Sequence, residues 1–205
     1  PANVNFVDIA GLVKGAREGA GLGNKFLSHI REVSIIAHVV RAFEDSNIVR
    51  EGSVDPKSDY QTIQTELILA DLATVQSAQG KVKRFAKESE KTAIEKLFTG
   101  LNAGKPAREI ELNDEEKEFA KTFFLLSSKP ELNVLNVAEG DYNPAGIEKI
   151  AKKYGEMLKQ VQHDNGNIVV ISARIESDLS ELSEEEQKQY LQDLGVKESG
   201  LERLI

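Results

Sequence analysis

Short, β-branched apolar runs alternate along the chain with stretches in which apolar residues recur every three to four positions. Asn3 to Asp8 (NVNFVD), Ser34 to Val40 (SIIAHVV), Leu132 to Val137 (LNVLNV) and Asn167 to Ser172 (NIVVIS) form the first kind. Three of them are nearly continuous in hydrophobicity, which suits strands covered on both faces of a parallel sheet. Leu22, Phe26, Leu27 and Ile30 make an apolar helix face, and Ile147, Ile150, Tyr154 and Leu158 make another. Strand, helix, strand, helix predicts a doubly wound α/β fold.

From Tyr60 to about Ser127 the strand pattern stops. Ile63, Leu67, Ala70 and Thr74, with Leu69, Leu72, Val75 and Val82, predict a long helix, and Thr92 to Leu101 a second, followed by the punctuation of Gly104 and Pro106. Asn113 with Glu116 three residues on is a capping box for a third helix, expected to run through Phe119, Phe123 and Phe124. The expectation is a helical, hairpin-like insertion over residues 59–127, between sheet parts at 1–58 and 128–205. Ser183 and Glu186 form another capping box, which predicts the start of the last helix.

Composition narrows the function classes. With 205 residues, 29% charged and 40% hydrophobic, the chain can bury a sizeable core. It has no cysteine, which excludes disulfides, thiolate metal sites and thiol catalysis and fits a reducing compartment. No apolar run approaches the roughly 20 residues that span a bilayer. A cytoplasmic protein with no membrane role is expected. The net charge of −8 argues against general affinity for nucleic-acid backbone, so no DNA sequence recognition is expected. One local exception is the run Lys81, Lys83, Arg84, Lys87 and Lys91, set against Glu88 and Glu90, which is either a solvated helix face or an RNA contact.

Ligands of open parallel sheets bind beyond the carboxyl ends of the strands. Three short elements sit there. The first is Asp8-Ile-Ala-Gly11: Asp8 can hold the water shell of Mg²⁺, and Gly11, without a Cβ, can bring its N–H close to a terminal phosphate. The second is Asn136-Val137-Ala138-Glu139, in which Asn136 offers donor and acceptor to a purine edge and Glu139 accepts; alone, it also reads as a capped turn. The third is Ser172-Ala173, where a tight loop can offer a backbone N–H to the same base. Each is weak singly, but the order DxxG, NxxE, SA after apolar strands is that of guanine-nucleotide-binding P-loop proteins.

DIAGLVKGAREGAGLGNKFLSHIREVSIIAHVVRAFE closely resembles the corresponding stretch of the Obg-like ATPases of the YchF group, within the translation-factor-related P-loop NTPases. The resemblance continues through VDPKSDYQTIQTELILADL, the helical insertion, NVLNVAE, VVISARIESDLSEL and LGVKESGLERLI, and so covers essentially the whole chain. It implies a P-loop NTPase domain that binds ATP, and GTP as well, and slowly hydrolyses the β–γ bond with Mg²⁺. It also implies the ribosome or ribosomal RNA as partner. Typical GTPases carry NKxD, whose aspartate accepts from guanine N1–H and the 2-amino group. Here Val137 and Glu139 replace Lys and Asp, which implies relaxed or ATP-preferring recognition. In that resemblance Asn136 contacts the base, and Val137 packs on it or bonds it through its backbone.

Two departures matter. Leu12 stands where small GTPases carry the Gln that orients the attacking water, so the catalytic group is not identified; His29 and Lys25 are near in sequence, whereas His38 reads as a core histidine. No GxxxxGK[ST] occurs anywhere, because Gly80-Lys81 continues to Val82 and Gly104-Lys105 to Pro106. The resemblance therefore implies the middle of a longer protein, without its phosphate loop, first switch and C-terminal TGS domain, and with residues absent near Arg50 to Val54. A non-enzymatic RNA- or protein-binding module built on the helical insertion is the alternative. A metal-dependent hydrolase based on Asp8 ranks last, for want of clustered ligands.

Overall fold

The computed structural model describes residues 4–9, 22–43, 55–80, 86–159 and 167–204. In chain order the elements are α1 (Leu22–Glu32), β1 (Ile36–Arg41), α2 (Pro56–Gln79), α3 (Glu88–Asn102), α4 (Asp114–Lys121), β2 (Glu131–Asn136), α5 (Pro144–Lys159), β3 (Asn167–Ile171), α6 (Ala173–Ser180), α7 (Glu184–Asp193) and α8 (Gly200–Leu204). The fold class is α/β with a parallel sheet, in the order β1-β2-β3. Strands β2 and β3 run parallel, with Leu132 opposite Asn167 and Asn136 opposite Ile171. On the other side of β2, the Ala42 N–H donates to Asn136 O.

The fourth expected strand, Asn3 to Asp8, does not form over its described residues. Residues 4–9 carry no strand, and Val4, Phe6 and Val7 are exposed. An apolar run becomes a strand only where a neighbour takes up its backbone N–H and C=O groups, and the three described strands pair only among themselves. Two further helices, α6 and α8, were not anticipated, so α7, which Ser183 and Glu186 open as expected, is not the last.

The described residues divide into two compact units, one from Pro1–Val4, Ala37–Tyr60 and Glu131–Ile205, the other from Asn5–Ile36 and Gln61–Pro130. In the sheet unit, Val40, Leu135, Val137 and Val170 from the strand region pack with Tyr60, Tyr142, Tyr154, Ile175, Leu179 and Leu191, and the half-buried Tyr190 joins them. His38 is a core histidine: it is buried, its Nδ1 lies 3.1 Å from Glu131 Oε1, and its ring stacks on Tyr60.

The helical unit has a core of Ile68 and Val75 from α2, Ile94, Leu97 and Leu101 from α3, with Ala107 and Leu125; Phe119, Ala120 and Phe123 pack against it. A second cluster joins Ile30 of α1 to Leu67 and Leu126. Asp71 is fully buried, and its carboxylate accepts from Leu126 N–H and Ser127 N–H at 2.7 Å and from Ser127 Oγ at 2.6 Å. Burial pushes this carboxyl above its usual range, against the pull of those bonds and of Arg31.

The Asn113 and Glu116 capping box forms, but α4 stops at Lys121, short of Phe123 and Phe124. Phe124 takes the left-handed region at φ 49°, is 68% exposed, and its carbonyl accepts from Arg31 Nη1 at 3.0 Å. Phe119 and Phe123 still meet edge to face. The 119/123 spacing is helical, yet that contact survives in the turn that ends the helix. Among the described residues, no helix is long and apolar enough to cross a membrane.

Candidate functional site

The carboxyl ends of β2 and β3 bring two of the three short elements together. Asn136 closes β2 opposite Ile171, and its Oδ1 accepts the Ala173 N–H at 2.9 Å. That bond fixes the side-chain carbonyl toward the neighbouring loop and leaves the amide NH₂ as the donor end. Val137 is buried in the sheet core, and its N–H donates to Ile171 O at 2.8 Å. With side chain and N–H both engaged, the group with which Val137 can meet a ligand is its carbonyl.

Beyond Val137 the chain makes a single 3₁₀ turn, Glu139–Asp141. Glu139 is exposed at its start. Asn143 fastens the turn to α5: its Oδ1 accepts from Gly146 N–H at 3.0 Å and its Nδ2 donates to Gly140 O at 3.1 Å. A Cβ at residue 146 would lie 2.2 Å from Asp141 O, so only glycine allows this approach.

Ser172 is fully buried in extended backbone just before α6, and its Oγ has no hydrogen-bond partner. An unpaired buried hydroxyl costs on the order of 1–3 kcal/mol. A buried group of this kind is commonly satisfied by an ordered water. Ala173, beside it, is exposed.

Asp8 is exposed and belongs to the helical unit. Gly11, Leu12 and the glycines at 15, 19 and 21 lie outside the described residues, as do Lys81, Lys83 and Arg84 of the basic run and residues 50–54. Among the described residues, no group of three His, Asp or Glu side chains forms a metal cage. A single exposed carboxylate fits Mg²⁺, which keeps most of its waters and is commonly bound by one or two carboxylates with substrate phosphates.

Sequence reasoning missed the residues behind the loops, namely Tyr142, Glu176, Gly200 and Arg203. One signal was available: Ser199 and Glu202 have capping-box spacing, and Ser199 N–H donates to Glu202 Oε2 at 2.8 Å while Glu202 N–H donates to Ser199 Oγ at 3.1 Å. A groove among α6, α7 and α8, lined by Leu179, Leu191, Val196 and Leu201, includes none of Asn136, Glu139 or Ser172.

No family model matches the chain. Among curated proteins it is 45% identical over 213 residues to the "Ribosome-binding ATPase YchF" of Bacillus subtilis (strain 168), covering 100% of this chain and 57% of that one. It is 40% identical over 213 residues to the protein of the same name from Escherichia coli O157:H7, with the same coverage. Among solved structures it resembles "Structure of the Schizosaccharomyces pombe YchF GTPase", with TM-score 0.77 and 31% identity over 95% of this chain and 54% of that one. The chain thus spans a little over half the length of the curated relatives it matches.

Proposed function

The chain belongs to the YchF family, and from that premise we propose that its loops read the base of ATP, with GTP also accepted. In this reading the protein slowly hydrolyses the β–γ bond with Mg²⁺ and acts at the ribosome in the cytoplasm. The observation that carries it is the Asn136 Oδ1 to Ala173 N–H bond, which joins the NxxE and SA elements at the carboxyl ends of adjacent parallel strands. The relatives, named a ribosome-binding ATPase and a GTPase, support the reaction and the partner.

The Asn136 amide NH₂ and the Val137 carbonyl face the polar edge of the base, and Ala173 and Ser172 close the second side. Glu139 is exposed, where it can accept from a guanine without requiring one. Adenine lacks both N1–H and a 2-amino group, so a turn that does not depend on them accepts either purine. Asp8 would hold Mg²⁺ through a water, and the ion would neutralise charge on the β and γ phosphates. Leu12 cannot polarise a water. With no GxxxxGK[ST] in the 205 residues, the backbone cradle for the phosphates is not among them.

The test is calorimetric titration of the complete gene product with MgATP and MgGTP, beside the same titration of the 205-residue chain. The complete product should bind ATP at least as tightly as GTP, and the chain alone should bind neither strongly. A large guanine preference would overturn the role given to Glu139. Submicromolar ATP binding by these residues alone would overturn the division of labour between base loops and phosphate cradle.

A further inference from the structure

We propose that Arg203 is a positioning residue that sets the spacing of the two base-reading loops, and so the contribution of the base to nucleotide affinity. This rests on the nucleotide-binding reading above. The front of the two loops is tied by the Asn136 to Ala173 bond and by the Val137 N–H to Ile171 O bond. Those bonds hold the strand ends but not the Glu139–Asp141 turn, which begins three residues after Asn136 and carries the exposed carboxylate.

The turn is held from behind. Tyr142, the residue that follows it, is fully buried, and its hydroxyl oxygen accepts from Arg203 Nη2 at 2.6 Å. The same nitrogen donates to Val170 O at 3.1 Å, in β3 two residues before Ser172. One guanidinium nitrogen therefore links the chain just after the NxxE turn to the chain just before the SA loop. The guanidinium carbon also lies 5.8 Å from the centre of the Tyr142 ring. Burial pushes the pKa of the Tyr142 phenol above its usual range, although Arg203 pulls it down, so the group stays a neutral acceptor at physiological pH.

Arg203 is itself held in place. The Glu176 carboxylate, in the first turn of α6, accepts from Gly200 N–H at 2.7 Å and Leu201 N–H at 3.4 Å. Gly200 packs so closely that a Cβ there would lie 2.5 Å from Ile171 Cγ2 and 2.9 Å from Glu176 Oε1. A closed circuit results: Ala173 leads into α6, Glu176 holds α8, Arg203 of α8 holds Tyr142, and Tyr142 follows the turn that carries Glu139. Arginine suits the position because two N–H bonds leave one nitrogen in fixed directions, whereas a lysine ammonium is a compact point charge.

The test uses the complete gene product and its Arg203→Gln, Arg203→Lys and Tyr142→Phe variants, with magnesium complexes of ATP, GTP and inorganic tripolyphosphate as ligands. Tripolyphosphate has no base, so it reports the phosphate site alone. Arg203→Gln should weaken ATP about tenfold, the effect of losing one well-formed charged hydrogen bond, with tripolyphosphate unchanged. Arg203→Lys should recover part of the loss. Tyr142→Phe, which keeps the ring packing, should weaken ATP a few-fold in the same base-dependent way, and it decides the matter should Arg203→Gln not fold. Equal losses for ATP and tripolyphosphate, or unchanged ATP affinity in both variants, would overturn the proposal. If the unsubstituted protein binds ATP no better than tripolyphosphate, base recognition itself fails, and the positioning role with it.

Discussion

The two units differ in how many of their buried polar side-chain atoms are left without a partner. In the helical unit such groups mostly satisfy one another. Both oxygens of Asp71 are taken by Leu126 and Ser127, Ser127 Oγ also accepts from Ala107 N–H, and Glu116 receives Lys96 Nζ at 2.7 and 3.0 Å while closing its own cap. In the sheet unit His38 is paired with Glu131 and the Tyr142 hydroxyl with Arg203, but more atoms are left open. Among the described residues, three of the four buried side-chain atoms without a partner are there, the Oγ of Ser172 and both amide atoms of Asn133, against Glu109 Oε1 in the helical unit. A closed network serves stability, whereas the open atoms, in the middle of β2 at Asn133 and just after β3 at Ser172, are bonding capacity that the described residues leave unused.

The largest effect that would sharpen this contrast is expected from Asp71→Ala. It leaves two backbone N–H groups and a hydroxyl buried without an acceptor, which should cost about 4 kcal/mol in urea unfolding. Nucleotide affinity of the folded fraction should not change. A loss below about 1 kcal/mol would mean that this network is not what secures the helical unit. Asn136→Ala should behave the other way round, with about tenfold weaker nucleotide binding and a smaller change in unfolding midpoint. Should stability fall and affinity hold, the residue belongs with Asp71 and the contrast breaks.

The smallest effect is in pH. Hydrogen bonds from Lys96 and then from the Asn113 N–H hold the Glu116 carboxyl below its ordinary 4.5. A carboxyl depressed by folding stabilises the fold above its unfolded value, and that stability is lost as the pH falls through the folded value. Thermal melts should therefore decline below about pH 4.5 less steeply in Glu116→Gln than in the unsubstituted chain. Parallel curves would show that the Lys96 pairing is screened out.

The juxtaposition of the NxxE and SA loops was legible because its signal is local. Asn136 and Ser172-Ala173 each follow an apolar run, and parallel strands deliver such residues to the same end of the sheet. The capping boxes at Asn113 and Ser183 are local as well. The misses are of other kinds. Asn3 to Asp8 has strand composition, but strand formation depends on a partner that composition does not name. Phe124 breaks the aromatic spacing through one backbone angle that no side-chain pattern encodes. Arg203 meets Tyr142 across 61 positions, and pairing at that range follows from topology alone.

The placement of the tyrosines provides a built-in optical label. The chain has no tryptophan and four tyrosines, and Tyr60, Tyr142, Tyr154 and Tyr190 all lie in the core of the sheet unit. Near-ultraviolet dichroism and intrinsic emission therefore report mainly on that half of the molecule, whereas the helical unit is spectroscopically quiet apart from its phenylalanines. Comparing those signals with far-ultraviolet helicity during denaturation separates the melting of the two halves without attaching a dye.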